Sequence, residues 1–408
     1  MLLLLLACKP DPDTCTAPAN VREDTTADAT AAAASVNTLG LALLDARTDT
    51  NPFVSPLSIS QALAFVLAGA VGDTLTELQA VLGSTDDAAY HQGLADILAA
   101  LEAASGDPTA ECPTWSFSGG AAAFLDDSLE PTDGWLATMN DPYGVSPDVV
   151  DFADPSSAAQ TISDWASEAT SGRIQDMVRP DQIEPGSTIF MLATAVVFDA
   201  KWENPFDAAD TVSRPFTRAD GRLVDTPMMS STSTARLIGV EGGVVGEIPY
   251  RGQDVGMVLF VPDDPAGLPA MMGALDLAQI GHQLDEMSGS DVDIRMPVFE
   301  LESRASLTTP LQALGMLTVF DPELADLSAL APPPMGFDNI YVSDVVHDAW
   351  VQVDESGTKA AAVTTVQGSA DSASETSVLY ADRPFVYAIR DRVTGVWLFA
   401  GRMDEPPE

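Results

Sequence analysis

The chain has 408 residues, 46% of them hydrophobic, and its 61 acidic residues against 18 basic ones give a formal charge of −43 at pH 7. Its length and apolar content are enough to bury a core, so we expect a folded globular protein. The negative charge argues against nucleic acid or an anionic membrane surface as a partner. Because the acidic residues are spread along the chain, we interpret them as serving solubility or adaptation to saline surroundings.

The first residues resemble the cleavage and lipid-attachment motif of exported bacterial lipoproteins. Leu5, Leu6 and Ala7 directly precede Cys8, the residue to which the lipid would be attached. No basic residue comes before this apolar run, and it is shorter than the about 7–15 residues of a signal peptide, so we expect a start further upstream. No later run approaches the roughly 18 consecutive apolar residues of a membrane span. We therefore predict export, with membrane contact only through a lipid on Cys8.

Residues 1–8 are predicted to be a signal remnant, and residues 9–29, rich in Pro, Asp, Thr and Ala, a flexible tether. If Cys8 carries a lipid, Cys15 and Cys112 remain of the three cysteines. These two cysteines either form a disulfide in an oxidising compartment or remain two free thiols.

The first half of the chain is predicted to be mainly helical. Helical periodicity begins near Thr30, and a second helix begins at Ser55 with Pro56 in its first position. The apolar run 59–71 is too continuous for a surface helix and is placed in the core. Thr74 and Glu77 have the spacing of a capping box for the next helix. The segment TISDWASEATSGRIQDMV is read as a helix that ends at Gly172.

Strands dominate the remainder. The segment STIFMLATAVVFDAKW is predicted to be a buried strand, and the middle of the chain reads as strands joined by turns at Asp220-Gly221 and Arg251-Gly252. Helices and strands do not alternate regularly, and most strands are expected to be antiparallel. The fold class is therefore predicted to be α+β.

No catalytic or metal-binding constellation is apparent. The chain has only three histidines, His91, His282 and His347, and it lacks the nucleophile, zinc-protease and phosphate-loop motifs. Its cysteines do not have the spacing of a zinc site. His347 falls among buried positions of the strand pattern VVHDAWVQV, so we predict a core histidine rather than a general base. We expect no enzyme activity, no cofactor and no metal.

A long connection between two predicted strands, from Glu355 to Pro384, needs its own explanation. Connections longer than about 12–15 residues are uncommon in compact domains and are usually functional or disordered. Residues 357–366 are small and compatible with a strand, and Lys359 is their only charge. If Lys359 faces water, the alternation of strand side chains turns residues 358, 360, 362, 364 and 366 inward. The segment then reads as a loop that can enter a sheet, although a surface linker stays an alternative.

Insertion of this loop must overcome the cost of ordering its backbone, roughly 1–2 kcal/mol per residue. A net gain of about 0.5–1.5 kcal/mol per hydrogen bond does not offset that cost alone. Apolar burial and relief of strain elsewhere must therefore contribute. We expect the chain to fold first into a metastable form.

Several motifs, in one order along the chain, resemble the serpins, a family of serine protease inhibitors that trap proteases by inserting a cleaved loop into a sheet. The similarity covers roughly 30–403. The motifs are NPFVSPLSISQAL with GAVGDTLTEL, AVVFDAKWENPF, ADGRLVDTPMM, MPVFELES, YVSDVVHDAWVQVDESGT and ADRPFVYAIRDRVTGVWLFAGRM. The resemblance implies one large domain over 30–403, a reactive loop over 355–383 and a tail over 404–408.

The resemblance also assigns roles to individual residues. The hinge of the reactive loop matches Glu355, Gly357, Thr358, Ala360, Ala361 and Ala362. The family's shutter and breach regions, where the central sheet opens, match Ser55, Ser58, Thr194, Trp202 and His347. The sequence departs from the family at Thr194, where an asparagine is usual, and at Val363, where a fourth alanine is common. The small hinge residues resemble those of inhibitory members.

The function implied is an irreversible suicide-substrate inhibitor of serine endopeptidases, with cysteine endopeptidases also in scope. Its alternative is a non-inhibitory, serpin-fold binding protein of the cell envelope. We expect a monomer whose partner is the target protease.

The sequence leaves several candidates for the bond that the protease cleaves. Counting forward from the hinge reaches Asp371-Ser372, and counting back from Pro384 reaches Ala373-Ser374, so the candidates are Ala370, Asp371, Ser372, Ala373 and Ser374. All are small or acidic, which disfavours trypsin-like and chymotrypsin-like pockets. Ala370 or Ala373 suits elastase-like or subtilisin-like proteases, which we favour, and Asp371 suits an acid-specific protease.

Overall fold

The computed structural model describes residues 25–106, 114–358 and 377–407. Cys8, Cys15 and Cys112 lie outside these ranges, so the predictions of a lipid anchor and of a disulfide are not addressed by it.

Within the described ranges the helices are Ala27–Ala46 (α1), Pro56–Leu67 (α2), Gly72–Leu82 (α3), Asp87–Ala104 (α4), Asp133–Tyr143 (α5), Pro155–Ala169 (α6), Leu268–Ala274 (α7), Leu277–Glu286 (α8) and Thr308–Ala313 (α9). The strands are Phe53–Val54 (β1), Trp115–Asp126 (β2), Asp148–Val150 (β3), Phe190–Lys201 (β4), Val212–Thr217 (β5), Leu223–Val240 (β6), Gly243–Pro249 (β7), Val255–Pro262 (β8), Ser290–Pro297 (β9), Phe299–Ser306 (β10), Asp344–Asp354 (β11), Gly357–Thr358 (β12), Ser377–Tyr380 (β13), Phe385–Asp391 (β14) and Trp397–Met403 (β15). The predicted α+β class is confirmed.

The strands form a six-stranded and a nine-stranded sheet. The order of the six-stranded sheet is β10-β11-β12-β4-β2-β3, and β11 also pairs directly with β4. The order of the nine-stranded sheet is β1-β15-β14-β8-β7-β6-β9-β13, with β5 beside β6. The strands that flank the long connection therefore belong to different sheets, because β11 lies in the six-stranded sheet and β14 in the nine-stranded one.

Helix α2 lies at the centre of the core, and all twelve of its residues are buried. Pro56 occupies its first turn, as predicted. The larger hydrophobic cluster joins α1, α2 and one face of each sheet, while a smaller cluster lies between α6 and the opposite face of the six-stranded sheet. The six-stranded sheet is thus covered on both faces, which makes β4 and β11 buried strands.

Three predicted helix boundaries differ from the structure. Helix α1 begins at Ala27, where the Thr26 hydroxyl accepts a hydrogen bond from Ala29 N–H. Helix α6 begins at Pro155 and ends at Ala169, before Gly172. The predicted capping box is wrong because α3 begins at Gly72, which places Thr74 and Glu77 inside the helix.

Thr74 and Glu77 hold a distant segment instead of a helix end. A carboxylate oxygen of Glu77 accepts hydrogen bonds from the backbone N–H groups of Leu317 and Thr318, at 2.7 and 2.8 Å. The Thr74 hydroxyl accepts one from Asp326 N–H at 3.0 Å. Both side chains therefore form hydrogen bonds to residues more than 200 positions later in the sequence, and the spacing that suggested a local capping box comes from these tertiary contacts.

Helix α1 has the length and mean hydropathy of a membrane-crossing helix, with 20 residues and a value of 1.2. Half of it is buried within the protein, however. Its apolar residues contact the core, so this helix is accounted for by packing.

Candidate functional site

The start of the predicted reactive loop already lies within the six-stranded sheet. Gly357 and Thr358 form β12, which is antiparallel to both of its neighbours. Thr358 stands opposite Val353 of β11 on one side and Ala200 of β4 on the other. Two residues of the predicted hinge are thus inserted between β11 and β4 while the chain is uncut.

Both hinge residues match the space that they occupy. A Cβ atom at Gly357 would lie 2.1 Å from the carbonyl oxygen of Ala200, so a side chain there would force the strands apart. Thr358 is fully buried, and its hydroxyl shares a 2.5 Å hydrogen bond with the Tyr250 hydroxyl. The prediction that Thr358 faces inward is confirmed.

The chain just before β12 is held on both sides. The Trp202 indole N–H donates to the carbonyl oxygen of Asp354 at 2.9 Å, and its ring stacks on Tyr250 with ring centroids 4.5 Å apart. The Glu355 carboxylate accepts a 2.5 Å hydrogen bond from the Thr211 hydroxyl. Burial is the main cause that raises the pKa of Asp354, whose carboxylate accepts from the N–H groups of Ser356 and Gly357. The hinge therefore begins from a fixed position.

The predicted shutter residues form one buried hydrogen-bonded group between β4, β11 and α2. His347 and Thr194 are register partners on adjacent strands, and their side chains are 2.7 Å apart between Nδ1 and Oγ1. Ser55 N–H donates to His347 Nε2 at 3.2 Å, and the Ser55 hydroxyl donates to the carbonyl oxygen of Leu398 at 2.7 Å. The Ser58 hydroxyl donates to the carbonyl oxygen of Ser55. Five residues, Ser55, Ser58, Thr194, His347 and Leu398, thus link two strands of one sheet to α2 and to β15.

The direction of these bonds follows from the backbone. Since Ser55 N–H can only donate, His347 Nε2 must be the acceptor, and in the neutral ring the proton lies on Nδ1. Thr194 therefore accepts from His347. Burial lowers the pKa of His347 to about 3, with a smaller contribution from the Arg47 charge. The expected core histidine is confirmed.

A cation–π contact connects the segment after α6 to the six-stranded sheet. The guanidinium carbon of Arg173 lies 5.6 Å from the ring centroid of Trp350 on β11, and the Trp350 indole N–H donates to Glu300 of β10. Arg304 of β10 also donates to the carbonyl oxygen of Gln175 at 3.1 Å. The body of α6 packs on residues of β2 and β4 as well. Helix α6 and the segment after it therefore contact strands on both sides of the β4–β11 pairing, namely β2 and β4 on one side and β10 and β11 on the other.

The other end of the long connection is held in the nine-stranded sheet. Strand β13 is parallel to β9, with Val378 opposite Asp293 and Tyr380 opposite Arg295. The Tyr380 hydroxyl donates to the Asp293 carboxylate, and the Arg295 guanidinium lies 4.0 Å from the Tyr380 ring centroid. The loop thus runs between attachments in two different sheets.

Other predicted site residues lie outside the described ranges. These are the hinge residues Ala360, Ala361 and Ala362 and the cleavage candidates Ala370, Asp371, Ser372, Ala373 and Ser374. Among the described residues, no group of three or more His, Cys, Asp and Glu side chains could hold a metal ion.

Sequence reasoning missed Tyr250, Thr211 and Arg173. Tyr250 is separated from its partner Thr358 by 108 positions, and Thr211 from Glu355 by 144. Nothing local marks either residue as a contact of the hinge. For Arg173, its place directly after Gly172 was the only signal.

Comparison with known proteins places this geometry in context. A family model described as serpin (serine protease inhibitor) matches residues 35–406. Mouse antithrombin-III is 30% identical over 373 residues, which cover 89% of this chain and 78% of that protein.

Solved structures agree in fold. The native state of tengpin, a thermophilic serpin, has a TM-score of 0.81 at 24% identity and covers 97% of this chain and 98% of its own. A thyroxine-binding globulin complex with thyroxine has a TM-score of 0.76 at 24% identity, with coverages of 93% and 99%.

Proposed function

Because the chain belongs to the serpin family of serine protease inhibitors, we propose that it is an irreversible suicide-substrate inhibitor of serine endopeptidases. The catalytic serine of the protease attacks a carbonyl carbon of the reactive loop. The peptide bond breaks, the amine leaves as a new amino terminus, and an ester joins the loop to the protease. Insertion of the freed loop then carries the protease away before water can hydrolyse this ester. The inhibitor itself catalyses nothing and is consumed.

The observation that carries this proposal is the position of β12. Its pairing fixes the register that further insertion would follow, because Gly357 stands opposite Lys201 and Thr358 opposite Ala200 on β4. Continued in the same register, Thr364 would come between Thr194 and His347 and face the core. If Lys359 faces water, the residues predicted to face inward are 358, 360, 362, 364 and 366, and these follow the same alternation. A loop that has already begun a strand, and has small residues for the next positions, supports insertion.

Insertion must open a ladder that exists in the uncut chain. Strands β4 and β11 pair directly from Met191↔Asp344 to Val197↔Trp350. The Thr194–His347 hydrogen bond lies in the middle of this ladder. A loop strand would replace the direct pairing with two antiparallel ones, which are slightly more stable per residue than a parallel ladder.

The test is incubation with a panel of proteases: pancreatic elastase, subtilisin, an acid-specific endopeptidase, trypsin and chymotrypsin. We expect an SDS-stable complex with a small-pocket enzyme, elastase or subtilisin, and none with trypsin. The mass of the released carboxyl-terminal peptide identifies the bond. An amino terminus at Asp371 or Ser374 agrees with a small pocket, and one at Ser372 agrees with an acid-specific protease. Cleavage with no covalent complex in any reaction would contradict the inhibitory function.

We also propose that the protein is exported and anchored through a lipid on Cys8, on the strength of the Leu5-Leu6-Ala7-Cys8 motif. Labelling with a fatty-acid analogue in a bacterial host should mark the wild type and not Cys8→Ser. Equal labelling of both would contradict the anchor.

A second candidate function, a binding protein without inhibitory activity, is favoured by one feature. A cavity of about 320 Å³ lies between α1 and α8, lined by apolar residues such as Phe260, Ile280 and Trp397 and by the buried cation Arg390. Such a site suits a small amphipathic molecule. Ligand-dependent thermal stabilisation, together with cleavage that never yields a covalent complex, would favour this function over inhibition.

A further inference from the structure

Gln61 is a buried polar residue of α2 that lies outside the hydrogen-bonded group around His347. It interrupts the apolar run that forms the core helix, and its side chain is buried with the rest of α2. A buried amide costs free energy unless its polar atoms form hydrogen bonds. The partner of the Gln61 side chain therefore indicates what this residue does.

The Gln61 side chain is bonded to the six-stranded sheet. Its oxygen, Oε1, accepts a hydrogen bond from the backbone N–H of Ala121 on β2 at 3.2 Å, and both groups are buried. Two glycines directly precede Ala121, and glycine within a strand often marks the close approach of another segment. A Cβ atom at Gly120 would lie 3.4 Å from Gln61 Oε1, so the amide lies directly against β2.

Ala121 belongs to a row of three residues that crosses the sheet. It is the register partner of Thr194 on β4, and Thr194 is the register partner of His347 on β11. Helix α2 is bonded to both ends of this row. At one end Ser55, its N-cap residue, donates its backbone N–H to His347 Nε2 at 3.2 Å. At the other end Gln61 accepts from Ala121, so one helix spans the place where β4 and β11 meet.

Insertion of a strand between β4 and β11 must lengthen this row. The two strands move apart by one strand spacing, about 4.8 Å, which is more than a hydrogen bond can stretch. Helix α2 therefore cannot keep both ends of the row bonded. Strand β1, which leads directly into α2, contacts β10 and β11, so that half of the sheet is tied to the start of the helix. The half that contains β2 and β4 must then move over α2, and the Gln61 hydrogen bond is the one that breaks.

We propose that Gln61 is a positioning residue that holds the β2–β4 half of the sheet against α2 and so opposes opening of the sheet. This inference rests on the proposed inhibitory function, since the speed of insertion after cleavage decides whether the protease is trapped or escapes by hydrolysis of the ester. The hydrogen bond acts in the uncut chain and is absent once the loop strand is in place.

The test removes the acceptor and keeps the size of the side chain. Gln61→Met is unbranched and of similar length, and its sulfur is only a weak acceptor. Gln61→Glu keeps an acceptor oxygen at the same place. Ser60→Ala is the matched control, because Ser60 is a fully buried residue of the same helix whose hydroxyl faces Tyr90 of α4.

Each protein is compared with wild type before and after a cut in the loop between Gly368 and Glu375. One measurement is the melting temperature, and the other is the rate of insertion, reported by a fluorescent label on the loop. Hydrogen exchange of the Ala121 amide in wild type, uncut and cut, is a third measurement that needs no variant.

Gln61→Met should leave the Ala121 N–H without a partner in the uncut protein. The uncut variant should therefore melt roughly 2–4 °C below uncut wild type, while the cut variant should match cut wild type. Its loop should insert about three- to tenfold faster. Gln61→Glu should insert at the wild-type rate or more slowly, because a charged acceptor forms a stronger hydrogen bond. Ser60→Ala should shift cut and uncut protein equally and leave the insertion rate unchanged.

In wild type, the Ala121 amide should exchange at least about tenfold faster after the cut, although the cut raises the melting temperature. Unchanged or slower exchange would overturn the inference even if Gln61→Met failed to fold.

An equal fall in melting temperature for uncut and cut Gln61→Met, with insertion at the wild-type rate, would overturn the role of Gln61 and leave the inhibitory function intact. Insertion of Gln61→Glu as fast as that of Gln61→Met would do the same, because the acceptor would then not matter. A cut wild type that melts no higher than the uncut protein would remove the inhibitory function and this inference together.

Discussion

At the scale of residues, we expect the proposed insertion to be sensitive to the side chain at Thr358. It is fully buried between β4 and β11, and its hydroxyl is bonded to Tyr250. A charge placed there without a partner costs several kcal/mol. We expect Thr358→Arg to expel β12 and to slow insertion after cleavage. The protease should then release cleaved inhibitor, and covalent complex should fall by at least tenfold while cleavage continues.

The control for this variant is Thr358→Ser, which keeps the hydroxyl that faces Tyr250. It should retain the stoichiometry of the parent, as measured by titration of protease activity. Covalent complex from Thr358→Arg at the parent's stoichiometry would mean that the inserting register does not pass through Thr358.

His347 provides a prediction about pH. Burial lowers its folded pKa to about 3 from the ordinary value of 6.5, so the unfolded chain binds the proton more readily. The stability that neutral His347 provides is complete above pH 6.5 and is lost as the pH falls from 6.5 towards 3. Between pH 7 and pH 5 we expect a loss of about 2 kcal/mol from this residue.

Urea denaturation at both pH values measures this loss, and His347→Asn is the reference because asparagine does not titrate. The wild type should lose about 2 kcal/mol more than the variant over this interval. The same pH dependence in both proteins would contradict the assignment of a neutral, buried imidazole.

The residue scale also shows where sequence reasoning succeeds. Ser55, Ser58, Thr194, Trp202 and His347 were singled out from motifs, and the structure places each in the buried centre of the fold. What local pattern could not supply was the hydrogen-bond direction at Thr194, since it depends on Ser55 N–H, contributed by a segment 139 positions away in the sequence. Partners such as Tyr250 stayed hidden for the same reason.

At the scale of elements, strand identity was easier to predict than strand neighbours. The segment that became β4 was predicted to be a buried strand, and α2 was predicted from Pro56 and a continuous apolar run. That β11 pairs with β4, and that β12 separates them at one end, depends on contacts between distant segments. The capping box at Thr74 and Glu77 failed because the helix begins earlier, at Gly72.

The segment after α6 should resist separation of β4 and β11. Insertion of a strand moves them apart by one strand spacing, about 4.8 Å. The Arg173–Trp350 contact and the Arg304–Gln175 hydrogen bond join this segment to β11 and β10, so they must stretch or break. An exposed cation–π contact is worth about 0.5–1 kcal/mol. We expect Arg173→Ala to speed insertion about two- to fivefold.

Stopped-flow fluorescence with a label on the loop measures insertion after protease is added. Arg179→Ala is the control, because Arg179 is an exposed arginine of the same segment that forms an ion pair with Asp181. An insertion rate for Arg173→Ala that equals the rate for Arg179→Ala would show that the cation–π contact does not oppose opening.

At the scale of the whole molecule, the long connection joins two sheets that hold its ends apart. Gly357 and Thr358, near its start, are in the six-stranded sheet, and a later part belongs to β13 of the nine-stranded sheet. While the chain is intact, insertion beyond β12 is opposed by the attachment at β13. If the freed loop inserts, the uncut fold is held short of a state with more hydrogen bonds and more burial; the metastable form expected from the sequence stays a prediction.

Cleavage between Gly368 and Glu375 should release this constraint and raise the melting temperature. The freed residues would continue β12 past Thr364, pair with β4 on one side and β11 on the other, and bury their inward side chains against the core. A gain on the order of 5–10 kcal/mol corresponds to a rise of roughly 10–40 °C for a domain of 150–250 residues and somewhat less for a larger one. Calorimetry of cut and uncut protein measures the shift.

Thr358→Arg, cut in the same way, is the matched control, because it shares the broken peptide bond but should not insert. If the cut wild type melts at the temperature of the uncut protein, the loop is an ordinary linker and the inhibitory function fails. If the cut variant gains as much stability as the wild type, the gain comes from cleavage itself rather than from a strand that passes through Thr358. Only a rise confined to the wild type ties stability to insertion between β4 and β11.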